Sequence, residues 1–165
     1  MKKKEITLEY LEFENEKELS SDEQKLLMEA LESVGRSYAP YSEFHVGAAV
    51  LLENGEVVCG SNQENAAYPS GLCAERVAIF YANSQFPGVA IKAMAITAKA
   101  DHFLIEAPIK PCGSCRQVIA ETENRQQDKI KLIMQGERGP VHIINGIENL
   151  LPFTFYEKKL QKTQT

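Results

Sequence analysis

The sequence predicts one α/β domain in which a single mixed β-sheet of about five strands lies between layers of helices. Three observations favour this fold class. A length of 165 residues suits one domain. A composition of 44% hydrophobic and 25% charged residues is typical of a globular protein. The predicted elements follow the order α-β-β-α-β-α-β-β, which combines a β-hairpin with helical crossovers.

The individual elements follow from hydrophobic periodicity, helix caps and turn residues. Residues 21–24 read Ser-Asp-Glu-Gln, a capping box ahead of a helix that ends near Gly35 or Pro40. The pair Asn54-Gly55 favours a tight hairpin turn between two antiparallel strands. The strands are predicted at 44–52, 56–61, 91–98, 130–134 and 141–144, and the later helices at 73–83, 113–124 and 147–151.

The chain divides into three predicted parts. Residues 1–20 form an acidic extension in which Ile6, Leu8 and Tyr10 alternate with polar residues, so that it is interpreted either as an edge strand or as a mobile arm. Residues 21–156 form the folded domain. Residues 157–165 form a polar tail.

The charge balance restricts the class of ligand. Asp and Glu total 23 against 18 Lys and Arg, which gives a net charge of −5. This acidity weighs against binding nucleic acid or an anionic membrane surface. No apolar run approaches the roughly 18 residues of a membrane span, and Glu9 and Glu12 interrupt any signal-peptide core. We therefore expect a cytoplasmic protein with a small-molecule ligand, no nucleic acid and no membrane partner.

Three cysteines and one glutamate form the most informative pattern. Cys73 and Glu75 begin one predicted helix, and Cys112 and Cys115 begin another after a proline. Three thiolates suit zinc, and a catalytic zinc keeps its fourth position for water. Glu75 is close enough in sequence to face the ion and to exchange a proton with that water. Cys-x-Glu combined with Pro-Cys-x-x-Cys is the signature of zinc-dependent nucleobase deaminases.

Other interpretations of the cysteines are weaker. A redox dithiol of Cys112 and Cys115 is less favoured, because such pairs occur in thioredoxin-like βαβ settings without a partner Cys-x-Glu. A structural zinc site would need a histidine as its fourth ligand. The three candidates are poorly placed, because they fall in predicted strands or a loop: His45, His102 and His142. Cys59 ends a predicted strand and is expected to be a buried small apolar residue.

The chain resembles the small, three-cysteine type of cytidine deaminase over about residues 36–155. Five segments carry the resemblance: YAPYS at 38–42, FHVGAA at 44–49, GSNQENA at 60–66, CAER at 73–76 and PCGSCRQ at 111–117. Jointly they are specific, whereas the last alone would be a weak signal. The resemblance implies a three-layer α/β/α fold.

The resemblance also implies site roles. One zinc ion per chain would be held by Cys73, Cys112 and Cys115, with Glu75 as the proton shuttle. Arg76 and Gln117 would lie beside the thiolates, and Arg76 would temper their charge. The residues implied for the substrate are Phe44 beside the pyrimidine, Asn62 and Glu64 at the sugar hydroxyls, the Ala74 backbone at the base edge, Tyr68 and, from a neighbouring subunit, Phe155.

Taken without the resemblance, Asn62 and Glu64 more simply brace a loop, because Asn favours turns. Phe44, Tyr68 and Phe155 are individually more typical of a core than of a ligand site.

The implied activity is the hydrolytic deamination of cytidine and 2′-deoxycytidine to the uridine products and ammonia, in pyrimidine salvage, by a homotetramer with shared sites. Gln63 stands where the family usually has an aliphatic residue, so a modified cytidine or a blasticidin-like nucleoside remains an alternative substrate.

Polynucleotide editing is disfavoured by the acidic charge and the absence of Trp. A non-catalytic zinc module would have no use for Glu75.

Overall fold

A computed structural model describes residues 1–157 of the chain. Residues 158–165, most of the predicted polar tail, lie outside the described residues. The strands and α-helices, numbered in chain order, are β1 Leu11–Phe13, α1 Ser21–Val34, β2 Phe44–Leu52, β3 Val57–Ser61, α2 Ala74–Gln85, β4 Ile91–Ala100, α3 Gly113–Gln126, β5 Lys131–Gln135 and β6 Val141–Asn145. Short 3-10 turns cover Glu16–Glu18, Tyr68–Ser70 and Ile147–Asn149.

The strands form one mixed sheet in the order β1-β6-β5-β4-β2-β3. Only the β4–β5 pair is parallel, and α3 lies in the crossover between these two strands. Strands β2 and β3 form the hairpin expected from Asn54-Gly55, with Gly55 at positive φ. The sheet has six strands rather than about five, because β1 adds to the edge of β6.

Two hydrophobic cores lie on opposite faces of the sheet, since successive side chains of a strand alternate between faces. On one face, Leu27 and Ala30 of α1 pack with Ala49, Ala95 and Ile133. On the other, the helices α2 and α3 pack on the sheet through buried residues that include Ile79, Ile119, Val50, Met94 and Leu132. The molecule is therefore a three-layer α/β/α sandwich.

Two sequence predictions need correction. The N-cap of α1 is Ser20, not Ser21: its hydroxyl accepts a hydrogen bond from the Glu23 amide, and the Glu23 carboxylate accepts one from the Ser20 amide. Both serines satisfy the capping pattern, but only Ser20 has the extended backbone that an N-cap requires. Cys59 is half-buried rather than buried.

Gly60 allows α2 to pack closely against the sheet. A Cβ at this position of β3 would lie 2.6 Å from the Ala74 carbonyl oxygen and 2.6 Å from the Ala78 amide nitrogen. Backbone atoms cannot move aside as a flexible side chain can. The absence of a side chain on Gly60 therefore lets the first turn of α2, which carries Glu75, rest directly on the sheet.

Within residues 1–157, no helix combines the length and the apolar character that crossing a membrane requires.

Candidate active site

The three predicted cysteines meet at the N-termini of two helices. Cys73 is the N-cap residue of α2, Cys112 is the N-cap residue of α3, and Cys115 lies in the first turn of α3. The Cys73 and Cys112 Sγ atoms are 3.8 Å apart, and those of Cys112 and Cys115 are 3.5 Å apart. Both helices direct the positive ends of their dipoles at these sulfur atoms, which favours thiolates.

The cluster fits a zinc ion. Zinc–sulfur bonds of about 2.3 Å in a tetrahedron separate the sulfur atoms by about 3.8 Å, and the three Sγ atoms all lie within 4.8 Å of one another. Within the described residues this is the only such group of three or more potential ligands. The fit also argues against a redox dithiol, because a third sulfur atom, that of Cys73, joins Cys112 and Cys115.

None of the histidines joins the cluster as a fourth ligand. His45 contacts Ser37 and Asp101, with Nδ1 2.7 Å from the serine hydroxyl. His142 contacts Glu12, and His102 contacts Glu43. The alternative of a closed site with a histidine ligand therefore has no support in the described part of the chain.

The thiols differ in their electrostatic surroundings. A hydrogen bond with Cys115 and contacts with Arg76 and Cys112 lower the pKa of Cys73 to about 5, against the opposing effect of burial. The pKa of Cys115 is raised, first by its hydrogen bond to Cys73 and then by burial. Cys73 is therefore the thiol that ionises more readily than Cys115, and a bound cation would be needed to ionise all three thiols.

Glu75 lies beside the cysteines in the first turn of α2 and is only 4% exposed. Burial raises the pKa of its carboxyl group, and the nearby Cys73 raises it further. A carboxyl group that holds its proton more tightly than usual suits a group that accepts and returns a proton near neutral pH.

A cavity of about 760 Å³ opens over the cluster. Cys73, Cys112 and Glu75 lie on its wall, and so do four of the predicted substrate residues: Phe44, Asn62, Glu64 and Tyr68. Its volume is within the range of small-molecule sites. Two of the three predicted zinc ligands, Glu75 and four of the six predicted substrate residues therefore lie together in one concave site.

The side chain of Asn62 hydrogen-bonds to the backbone at the start of β2. Its Oδ1 accepts a hydrogen bond of 2.8 Å from the Val46 amide, and its Nδ2 donates one of 2.8 Å to the Phe44 carbonyl oxygen. The amide group thus continues the hydrogen-bonding pattern of a neighbouring strand. Nδ2 keeps a second hydrogen that these bonds do not use.

Glu64 holds the loop ahead of β2. Its carboxylate accepts hydrogen bonds from the Tyr41 amide at 2.9 Å and the Ser42 amide at 3.2 Å, and a very short one from the Ser42 hydroxyl. These bonds lower the pKa of Glu64, that from the Ser42 hydroxyl most. Loop bracing, the alternative interpretation of Asn62 and Glu64, is therefore present, and both side chains still line the cavity.

Aromatic pairs flank the cavity. Phe44 is half-buried and stacks on Phe103, with ring centroids 6.3 Å apart. Tyr68 is exposed and meets Tyr41 edge-on, with ring centroids 6.0 Å apart. A flat ring could lie against such side chains.

Of the other predicted residues, Arg76 lines the cavity, whereas Ala74, Cys115, Gln117 and Phe155 do not. Ala74 is fully buried at the start of α2. Gln117 donates a hydrogen bond of 2.9 Å to the Phe155 carbonyl oxygen, which ties α3 to the C-terminal segment. The Phe155 ring is 70% exposed. Arg116 reinforces this link, because it donates to the carbonyl oxygens of Pro111 and Leu150 at 2.9 Å each.

Comparison with known proteins decides the family. The family model of the cytidine and deoxycytidylate deaminase zinc-binding region matches residues 20–128. The chain belongs to this family. The match and the cysteine cluster together confirm the predicted zinc cofactor.

Similar proteins of this deaminase family agree in sequence and in fold. The cytidine deaminase of Sporosarcina psychrophila is 48% identical over 101 residues, which are 61% of this chain and 69% of that relative. The cytidine deaminase of Halalkalibacterium halodurans is 44% identical over 102 residues, 61% of this chain and 71% of that relative. The crystal structure of cytidine deaminase from Burkholderia pseudomallei superposes with a TM-score of 0.70 and 34% identity, covering 83% of this chain and 100% of that one. The predicted fold class is confirmed.

Several cavity residues of this deaminase were not predicted from the sequence. Ser42 and Tyr41 lie in the segment YAPYS, which carried the resemblance without an assigned role. Ile109 and Lys110 line the wall just before α3. Their position directly before the Pro-Cys-x-x-Cys segment was the signal that could have found them.

Proposed function

We propose that this protein is a zinc-dependent cytidine deaminase, a hydrolase that converts cytidine and 2′-deoxycytidine with water to uridine and 2′-deoxyuridine and releases ammonia, in pyrimidine salvage. The observation that carries the proposal is the buried Glu75 carboxyl group beside the three-cysteine cluster, at the wall of a nucleoside-sized cavity. An acid–base group, a metal site and a binding cavity are the three parts that hydrolysis of an amidine carbon requires.

Cys73, Cys112 and Cys115 would hold the ion. When bound, zinc supplies Lewis acidity that lowers the pKa of a water molecule and stabilises developing negative charge. Glu75 performs the proton transfers: it accepts a proton from the attacking water and delivers it to N3 of the cytosine ring. It then takes the proton of the hydroxyl group added at C4 and delivers it to the exocyclic amine, so that the C4–N bond breaks, the C4 carbonyl forms and ammonia departs. Its raised pKa lets it hold each proton between acceptance and delivery.

The remaining roles concern orientation of the nucleoside. Asn62 would donate its second Nδ2 hydrogen to a sugar hydroxyl, and Glu64 would accept a hydrogen bond from one. Phe44 packs beside the pyrimidine, and the Ala74 backbone reads the base edge. Tyr68 covers the open side of the cavity. Arg76 balances the thiolate charge, and Gln117 positions the segment that carries Phe155.

The assembly is part of the same proposal. Phe155 is mostly exposed and does not reach the cavity of its own chain. In a homotetramer with shared sites it would complete the site of a neighbouring subunit. A cytoplasmic protein with no nucleic acid and no membrane partner agrees with the net charge of −5.

Gln63, on which the modified-nucleoside alternative rests, borders the cavity, but its side chain hydrogen-bonds to groups of the protein. The amide nitrogen of Gln63 donates to the Ser61 hydroxyl at 3.1 Å and to the Arg36 carbonyl oxygen at 3.3 Å. Its side chain is thereby held by neighbours within the protein. We expect cytidine to be turned over in preference to a blasticidin-like nucleoside in a substrate panel.

Ammonia release from cytidine by the zinc-loaded protein tests the function. We expect turnover in the wild type and a loss of about 10²- to 10⁴-fold in Glu75→Gln, the range that acid–base catalysis contributes. Glu121→Gln, an exposed position of α3, is the matched control. Zinc content is measured on each protein, so that loss of metal is distinguished from loss of proton transfer. Near-wild-type turnover by zinc-loaded Glu75→Gln would refute this mechanism, and no turnover by the wild type would refute the function.

A further inference from the structure

The N-terminal arm, defined here as residues 2–14, offers an unpaired sheet edge. Its strand β1 pairs with β6 on one side, and within residues 1–157 no strand pairs with its other side. Residues 1–10 are exposed and belong to no helix or strand. An edge of this kind exposes backbone N–H and C=O groups that can pair with another extended segment.

The arm exposes an apolar patch on one face. Ile6, Leu8 and Tyr10 are 55%, 51% and 57% exposed, although each carries a large apolar side chain. Even-numbered residues of an extended chain share one face, and Tyr10 and Glu12 both contact His142 of β6 on that face. If the arm extends in line with β1, the same face would carry charges at both ends, in the order Lys2, Lys4, Ile6, Leu8, Tyr10, Glu12 and Glu14, the last of which directly follows β1.

When two copies of this segment run antiparallel, the order places opposite charges across from each other and apolar residues across from apolar residues. If two arms run antiparallel with Leu8 opposite Leu8, then Lys2 lies opposite Glu14 and Lys4 lies opposite Glu12. Ile6 then lies opposite Tyr10. Each cross-strand pair occurs twice because the arrangement has two-fold symmetry, so that one pairing satisfies four charge pairs and an apolar centre.

We infer that the N-terminal arm is a self-association element, which pairs antiparallel with the arm of a second copy of this chain about a two-fold axis at Leu8. The second copy is the occupant that the charges select. A parallel in-register pairing would place Lys on Lys and Glu on Glu, which is unfavourable. A shift of one residue would place Lys2 opposite an uncharged residue and move every side chain to the other face.

The arm is already held in place along half of its length. The Glu12 carboxylate lies 2.7 Å from His142 Nε2, and the Tyr10 and His142 ring centroids are 4.7 Å apart. The Glu9 amide donates a hydrogen bond of 3.0 Å to Asn149 Oδ1. Pairing would therefore order mainly residues 2–8 of each arm, which reduces the entropy lost on association.

A charge exchange between positions 2 and 14 tests the inference on the full-length protein. Neither residue belongs to the proposed active site. In Lys2→Glu the variant chains place Glu opposite Glu14, and in Glu14→Lys they place Lys opposite Lys2. We expect each single variant to weaken association by about tenfold. The double variant Lys2→Glu/Glu14→Lys restores both pairs, and so does an equimolar mixture of the two single variants.

Sedimentation velocity over a concentration series measures the association, and ammonia release from cytidine verifies that the domain is intact. The five samples are the wild type, the two single variants, the double variant and the mixture. Association of subunits through other surfaces contributes equally to all of them, so that differences in the association constant report on the arm. Equal association constants in the wild type, the single variants and the mixture would overturn the inference. Failure of the mixture to exceed both single variants would overturn it as well.

Cross-linking gives an independent measurement of the register. Two Leu8→Cys chains would place their thiols directly opposite each other, so that mild oxidation yields a covalent dimer on a non-reducing gel. In the matched control Glu5→Cys, each new thiol lies opposite Leu11 and far from its copy. The unchanged chain provides the background from the native cysteines. Equal dimer yields from the two variants would contradict the proposed register.

Discussion

The Arg76 guanidinium lies against the Cys73 sulfur atom: Nη2 is 3.7 Å from Sγ. Contact with Cys73 raises the pKa of Arg76, so the side chain keeps its positive charge beside the cluster. Its Nε is buried and has no hydrogen-bond partner among the described residues. A cation placed in this way offsets the charge of three thiolates and thereby favours metal binding.

Replacing Arg76 by Gln removes this charge while keeping hydrogen-bonding groups. We expect zinc affinity to fall by about 10- to 100-fold, the usual effect of losing a partner of a metal ligand. Competition against a chromophoric chelator measures the affinity. Arg125→Gln, at an exposed position in the last turn of α3, is the matched control. Equal zinc affinities of Arg76→Gln and the wild type would show that Arg76 does not stabilise the thiolates.

Short-range patterns accounted for the elements that meet at the cluster. Cys73 and Cys112 each precede the first turn of a helix, and such positions are visible as caps and spacing in the sequence. The bond from Ser42 to Glu64 spans 22 positions and depends on how two loops meet, so no local pattern contained it. The sequence does not decide whether the N-terminal residues form a strand or an arm, because the three residues of β1 pair with β6 about 130 positions away.

Ser42 is expected to act on the substrate through Glu64. Under the proposed function, Ser42→Ala removes the hydroxyl that orients the carboxylate and leaves the carboxylate itself in place. We expect KM for cytidine to rise by about 3- to 10-fold, the value of one ordinary hydrogen bond, with kcat little changed, because Glu64 keeps its bonds from the Tyr41 and Ser42 amides. Steady-state kinetics measure both. Ser84→Ala on α2 is a control outside the cavity. An unchanged KM would mean that the loop holds Glu64 without Ser42.

Gly60 is expected to resist substitution by Ala. The new Cβ would meet two backbone atoms of α2 at 2.6 Å, so the helix would have to shift. We expect the free energy of unfolding to fall by about 1–3 kcal/mol, the usual cost of overpacking, and activity to fall because Glu75 moves with α2. Urea denaturation measures the stability. Gly35→Ala is the control, because a Cβ there would meet only one atom, at 3.7 Å. Equal stabilities of the two variants would contradict close contact at Gly60.

Glu123 gives the fold a pH dependence of predictable sign. Burial raises its pKa above the ordinary 4.5, although its carboxylate accepts hydrogen bonds from the Ile130 and Ile147 amides. The folded protein therefore binds this proton more tightly than the unfolded chain. The contribution of Glu123 to stability is complete below pH 4.5 and is lost as pH rises through the raised folded pKa.

Glu123→Gln keeps an acceptor oxygen for both amides but does not titrate. In urea denaturation at a series of pH values, the free energy of unfolding of the wild type minus that of Glu123→Gln should grow as pH falls from neutral towards 4.5. The difference between the two proteins cancels effects of pH on zinc binding, which both share. A difference that stays constant, or that shrinks towards acidic pH, would show that the amide hydrogen bonds outweigh burial at Glu123.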